Sequence, residues 1–352
     1  MIQWIGVTVA IVCFLVAPKM EGAQNLPILN MGFSGGGVGS DLIKVIERAN
    51  LWRKHGVDVR PIYLTSGTLM AQTLSAGDIG IAGFDVTAML NLGVSGGTDI
   101  KVISVMINRL EPYFVVRKSI NTPADLKGKA IAISRYGSGS DIITRVVMRY
   151  WKLDPDKDVR ILQSGNTPTR IAALMGGHID AAIVSSTQVQ KVVGSGCCRV
   201  LADLAELPLD YANYGVVVAG SLLTTQRPNI RRFLEALTEG IYVFKTKPEI
   251  AKAVLRQSID DPAVVASVYE RLVKSMSEYP FPEVKGIQTA LDSLLTPKAR
   301  GQRAENFMDT SLMEEIKKSG FTALWRKGIA RRKSEARSQK PEVRSRNQKG
   351  RE

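Results

Sequence analysis

Short apolar runs alternate with stretches in which apolar residues recur every three or four positions, and this alternation organises the chain. Residues 26–33 predict a first strand, and Leu42, Ile43, Val45, Ile46 and Leu51 fall at helical spacing within 41–55, which Gly56 closes. A strand at 57–64, a helix at 69–76, a strand ending at Asp85, a helix at 86–92 and a strand at 100–107 follow. Strands separated by helices predict a parallel α/β sheet, whose ligands sit beyond the carboxyl ends of the strands. Three turns of small residues, at 34–39, 65–68 and 83–85, fall at that edge.

The alternation then starts afresh. After an extended run at 112–118 come strands at 130–134, 159–163, 180–184 and 199–202 with helices between them, which predicts a second lobe. Leu74 to Ala82 aligns with Leu174 to Ala182 at an offset of 100, each segment being a helix end, a glycine and a buried strand. Shared helix-to-strand chemistry and duplication explain this equally well. The run at 214–219 returns the chain to the first lobe, and helices opened by Pro228, Pro248 and Pro262 complete it. Residues 127–150 hold a strand, the Gly137–Ser138–Gly139–Ser140 turn and a helix from Asp141. The first N–H groups of that helix point out of the turn and suit an anionic or polar group. Capping by Ser140 or Asp141 uses the same geometry.

The two ends differ from this body. Residues 2–18 form an uncharged apolar run followed by Lys19 and a small-residue site at Ala23, the pattern of a cleaved secretory leader. An uncleaved membrane anchor is the alternative. Of the net charge of +14, residues 326–352 carry +8, with almost nothing apolar to bury, so a disordered basic tail is expected there. No aromatic residues interleave with its charges, and nucleic acid is not an expected partner. Cys13 belongs to the leader; Cys197 and Cys198 are adjacent and read as two small, half-buried residues rather than a redox or metal site.

Enzymatic motifs fail on context. Gly93–Val94–Ser95–Gly96–Gly97 matches G-x-S-x-G but follows a helix, whereas a nucleophile elbow needs strand then helix. Ile142 occupies the third glycine position of a dinucleotide fingerprint, and no GK[ST] is present. His55 and His178 are the only histidines, and neither has metal-ligand spacing. No catalytic residue, metal or cofactor is expected.

The order of NLWRKHGVDV, SGTLMAQTLSAGDIGIAGFD, TPADLKGKAIAISRYGSGSD, LDPDKDVRIL and RIAALMGGHIDAAIVSS resembles the SsuA/NMT1-like binding proteins of ABC importers, which act on nitrate, sulfonates and pyrimidine precursors. The resemblance spans residues 26–325. It implies an α/β chain of the type II periplasmic-binding-protein fold, with two Rossmann-like lobes joined by two crossover strands. The expected divisions are a signal peptide at 1–23, a discontinuous first lobe at 24–115 and 215–325, a second lobe at 116–214 and a tail at 326–352. It further implies a monomeric, non-enzymatic periplasmic protein that holds a small molecule between its lobes and delivers it to an inner-membrane ABC permease. Rival readings are an enzyme of the pyrimidine-precursor or menaquinone-pathway type on the same fold, or a ligand-sensing module for a membrane receptor. The two adjacent cysteines fall short of the cysteine-rich iron motif of the first of these.

Carried over residue by residue, the resemblance lines the cleft with Ser34, Gly35, Gly36, Ser66, Gly67, Gly83, Phe84 and Asp85 from the first lobe and Ser138, Gly139, Ser140, Asn166 and Ser185 from the second. The SGGGVGS loop lacks the aromatic or proline that relatives often carry. Arg109, just before the first crossover, and Arg135, just before the serine turn, favour a small organic anion, while Asp85 would favour an amine.

Overall fold

Ten strands build two sheets of five in the computed structural model, which describes residues 25–34 and 37–323. The leader at 1–23, Gly35, Gly36 and the basic tail at 326–352 lie outside the described residues. The strands are β1 (Ile28–Ser34), β2 (Asp58–Leu64), β3 (Ile81–Gly83), β4 (Ile100–Ile107), β5 (Tyr113–Arg117), β6 (Ala130–Ile133), β7 (Arg160–Gln163), β8 (Ala181–Val184), β9 (Cys198–Asp203) and β10 (Tyr214–Ala219). The first sheet has the order β2-β1-β3-β10-β4 and the second β7-β6-β8-β5-β9.

Neither sheet is wholly parallel. β1 pairs in parallel with β2 and β3, and β6 with β7 and β8, but β10 and β5 run antiparallel to both their neighbours. The reason is topological: β5 and β10 are the strands laid down directly after the chain crosses between lobes. A strand that enters from the other lobe is not preceded by the helical return that keeps neighbours parallel. Each therefore fills the fourth place of the sheet it enters.

The two lobes repeat one another to the residue. Met31 stands opposite Pro61 and Ile81, and Ile131 opposite Ile161 and Ala181, so three strands of each sheet share one register at an offset of 100. The repeat extends to the turns: Ser66 caps the helix Gly67–Ala76 and Asn166 caps Thr167–Met175, and Gly77 and Gly177 both take positive φ just after these helices.

Local chemistry adjusts several elements. The helix expected at 41–55 is two, Val38–Arg48 and Leu51–Lys54, because Asn50 adopts a left-handed φ of 52° that short polar side chains tolerate. The helix expected from Asp141 begins at Gly139, with Ser138 rather than Ser140 or Asp141 as its cap. Helices Arg227–Thr246 and Pro248–Leu255 pack on Val38–Arg48, and Val284–Asp292 packs on Val86–Ser95. No described helix is long and apolar enough to cross a membrane.

Candidate functional site

The carboxyl ends of the parallel strands in both sheets face one another across a cavity of about 100 Å³. Ser34, Thr65, Ser66, Gly67, Phe84 and Asp85 reach it from the first lobe, and Ser134, Gly139, Ser140, Asn166, Thr167, Arg170 and Ser185 from the second. Pro112, Asn213 and Tyr214 line it from the two crossings.

Most of these side chains are placed by their own helix starts. Ser66 accepts a hydrogen bond from the Leu69 N–H at 3.1 Å, Asp85 from the Ala88 N–H at 3.1 Å, and Asn166 from the Thr169 N–H at 3.1 Å. A parallel sheet directs such helix starts into the same cleft, so capping residues become lining residues. Ser134, Ser138 and Ser140 form a triangle of hydroxyls with 2.9 Å edges. Ser138 donates to the Arg135 carbonyl at 2.7 Å and caps the helix, while Ser134 and Ser140 face the cavity.

Arg170 supplies the positive charge. It is 5% exposed, and its guanidinium donates to the Gly165 carbonyl (2.9 Å), the Thr167 hydroxyl (3.1 Å) and the Ile183 carbonyl (3.3 Å). Its Nε has no partner, and all its acceptors are neutral. Burial pulls its pKa down to about 10. Asn213 also lines the cavity, and its buried Nδ2 likewise lacks a partner. Two residues that line the cavity thus each keep a buried N–H donor without a partner, an arrangement that costs free energy. Burial, reinforced by the charge of Glu111, raises the Tyr214 pKa well above its ordinary value, so its phenol stays protonated and able to donate.

Asp85 is the opposite pole. Burial pushes its carboxyl up to about 6, against hydrogen bonds from the Ala88 and Gly139 N–H groups. The Gly139 bond, 3.2 Å long, crosses the cleft. Thr68 also reaches across, donating to the Tyr136 carbonyl at 3.1 Å, and the Thr187 hydroxyl bonds to Asp41, which burial pushes up to about 7. At Gly37 an added Cβ would lie 2.7 Å from the Ser185 Oγ, so the lobes are in contact there as well.

Several residues named from the sequence lie elsewhere. Arg109 and Arg135 are exposed and do not line the cavity; the backbone carbonyl of Arg135 serves the serine turn while its side chain stays outside. Gly83 lies within β3 behind the lining residues, and Ser138 is taken up by its cap. Arg170, Asn213 and Tyr214 were not anticipated. A usable signal existed for the first: the offset of 100 sets Arg170 on Met70, a fully buried position of the other lobe.

Comparisons with known proteins agree with this architecture. Residues 47–251, more than half of the chain, match the family model described as NMT1/THI5 like. Candidate binding proteins of Brucella abortus and Brucella suis are 26% identical over 165 residues, 47% of this chain, and the chain spans about half the length of these curated relatives. A structure from Bordetella bronchiseptica RB50 superposes with a TM-score of 0.72 at 17% identity, covering 84% of this chain and 99% of that one. The alkanesulfonate-binding protein SsuA of Xanthomonas axonopodis pv. citri, bound to MOPS, gives 0.64 at 18% identity over 76% of this chain and 90% of its own. The nitrate-binding protein NrtA of Synechocystis PCC 6803 gives 0.66 at 13% identity over 84% and 89%. These likenesses establish the bilobed periplasmic-binding-protein fold, and the match across residues 47–251 establishes that the chain belongs to the NMT1/THI5-like family.

Proposed function

We propose that this chain is the extracytoplasmic solute-binding protein of an ABC importer, closing over one small organic anion and presenting the closed form to a membrane permease. The observation that carries the ligand class is the pair of partnerless buried donors, Arg170 Nε and Asn213 Nδ2, on two residues that line one cavity between the lobes. A carboxylate, sulfonate or similar oxyanion supplies the missing acceptors and the missing counter-charge. Ser34, Ser66, Ser140, Ser185 and Tyr214 add hydroxyls around it. The sulfonate and nitrate ligands in the names of two structural neighbours are anions too.

In this reading residues 1–23 are a leader that takes the chain to the periplasm, 24–115 with 215–325 form one lobe and 116–214 the other, and 326–352 are a solvated tail. The protein acts as a monomer, and binding shifts an open–closed equilibrium without covalent chemistry. A thermal-shift screen of the purified chain against sulfonates, carboxylates, nitrate, amines and pyrimidines tests this. One anion class raises the melting temperature, and Arg170→Gln abolishes the response while the circular dichroism stays native. A chain that responds only to amines, or that turns over a bound compound, would overturn it.

A further inference from the structure

Cys197 and Cys198 lie far from the cavity, where β9 leaves the turn after helix Val189–Gly194. In a regular strand successive side chains point to opposite faces. Here Gly196, with a φ of 74°, turns the chain just before β9, and the two sulfurs meet at 2.7 Å. Neither is in a disulfide. Cys197 is half-buried, its Sγ 3.0 Å from the Ser195 hydroxyl, whereas Cys198 is buried at 2% exposure. Arg117, opposite Cys198 in the β5–β9 ladder, brings a positive charge to both.

We propose that this pair is a thiol–disulfide exchange site, with Cys197 as the attacking sulfur, Cys198 as the resolving sulfur and a low-molecular-weight disulfide as co-reactant. The asymmetry follows from the surroundings. At Cys197 the cost of desolvation is outweighed by hydrogen bonds from Cys198 and Ser195, which hold the thiol below its ordinary value. Burial, then the bond to Cys197, pushes Cys198 up to about 12. The accessible sulfur is therefore the better thiolate, as attack requires.

In the first step the Cys197 thiolate attacks one sulfur of R–S–S–R, forming a Cys197–S–S–R bond and expelling R–S⁻, which takes up a proton from solvent. Cys198 then gives its proton to solvent and attacks the Cys197 sulfur, forming the Cys197–Cys198 bond and expelling the second R–S⁻. Two thiols are oxidised by two electrons, and one disulfide is reduced to two thiols. Adjacent α-carbons are about 3.8 Å apart, below the roughly 4.4–6.8 Å usual across a disulfide. The oxidised ring is therefore readily reduced, which suits exchange rather than a permanent crosslink.

The test uses the full chain carrying Cys13→Ser, equilibrated with reduced and oxidised glutathione in varied ratio, acid-quenched and weighed intact by mass spectrometry. The expected product has lost two hydrogens, retains no glutathione and reverts in excess reduced glutathione. Cys198→Ser accumulates one glutathione, located at Cys197, whereas Cys197→Ser stays unmodified over the same period. The proposal is overturned if the native pair remains reduced at every ratio, if it stops at the mixed disulfide, or if the two serine variants are modified at equal rates.

Discussion

The Asp85 carboxylate accepts hydrogen bonds from the Ala88 N–H of its own helix at 3.1 Å and from the Gly139 N–H across the cleft at 3.2 Å. One side chain thus caps two helices, and it does the second only while the lobes are closed.

Burial pushes Asp85 from 3.8 up to about 6 and Asp41, bonded across the lobes to Thr187, up to about 7. A raised value means that the folded chain holds the proton more tightly than the unfolded chain, so protonation of these two buried carboxyls stabilises the fold, while the bonds from Gly139 and Thr187 work against the rise. This contribution is fully present below the ordinary carboxyl range and is lost as pH rises through 6 and 7. Urea unfolding of the ligand-free chain should show these groups' contribution to stability falling from pH 4.5 to pH 7.5, roughly the span between the free carboxyl range and these raised values. Asp85→Asn should flatten the lower half of that change, and an unchanged profile in this variant would remove Asp85 from the equilibrium.

Gly139 separates closure from folding. A Cβ there would sit 2.5 Å from the Asp85 Oδ1, and the three atoms nearest to it all belong to Asp85 of the other lobe. Gly139→Ala should leave melting in the absence of ligand within about 1 kcal/mol of wild type but weaken ligand binding by roughly tenfold or more, about 1.4 kcal/mol. Calorimetric titration measures the loss; wild-type affinity would mean that closure does not need this approach.

Arg170 sets stability against binding. Its position corresponds to the buried Met70, and its charge has only neutral partners. Replacing buried ionic groups by well-packed apolar side chains of similar volume is often stabilising, by about 1–4 kcal/mol. Arg170→Met should therefore melt higher than wild type without ligand and fail to respond to any anion. A lower melting temperature would show that the hydrogen bonds to Gly165, Thr167 and Ile183 outweigh the burial cost.

Arg271 holds the crossings together. It donates to the Tyr113 hydroxyl (2.8 Å) and the Glu111 carbonyl (2.8 Å), pairs with Asp203 at 2.6 Å, and stacks over the Tyr113 ring at 4.5 Å. Burial raises the pKa of Glu111, and its hydrogen bond from Ser186 and the Arg271 charge oppose that rise. Arg271→Gln leaves Asp203 unpaired and Glu111 less compensated, and should cost about 2–4 kcal/mol in urea unfolding. A loss below half of the lower figure would make the cluster a surface feature.

The succession of strands and helices along the chain, the two-lobe division and several capping residues at the cleft were legible because each rests on local chemistry, whereas the antiparallel insertion of β5 and β10 was not. Ser66, Asp85 and Asn166 are helix caps, and the edge of a parallel sheet gathers caps into one place. Arg170 was not legible in this way, since an arginine inside a helix reads as a solvated charge until its lobe is laid on the other. Arg109 and Arg135 drew attention through sequence proximity to the first crossover and the serine turn, but both side chains are exposed, and only the backbone carbonyl of Arg135 serves that turn. Asn213 and Tyr214 reach the cavity only through the return crossing, and no periodicity encodes where a crossing segment lands.

The insertion of β10 between β3 and β4 also orders the events of synthesis. Every strand of the second sheet lies between Tyr113 and Asp203, so that sheet can assemble from a contiguous stretch as it emerges. The first sheet has its earliest strand at Ile28 yet keeps an empty slot until Ala219 is available. The amino-terminal half thus waits for the middle of the chain, with strand edges unpaired in the interval. Pulsed hydrogen exchange during refolding should protect the amides of β6 and β8 before those of β3 and β4, and the reverse order would mean that the first sheet forms without its inserted strand.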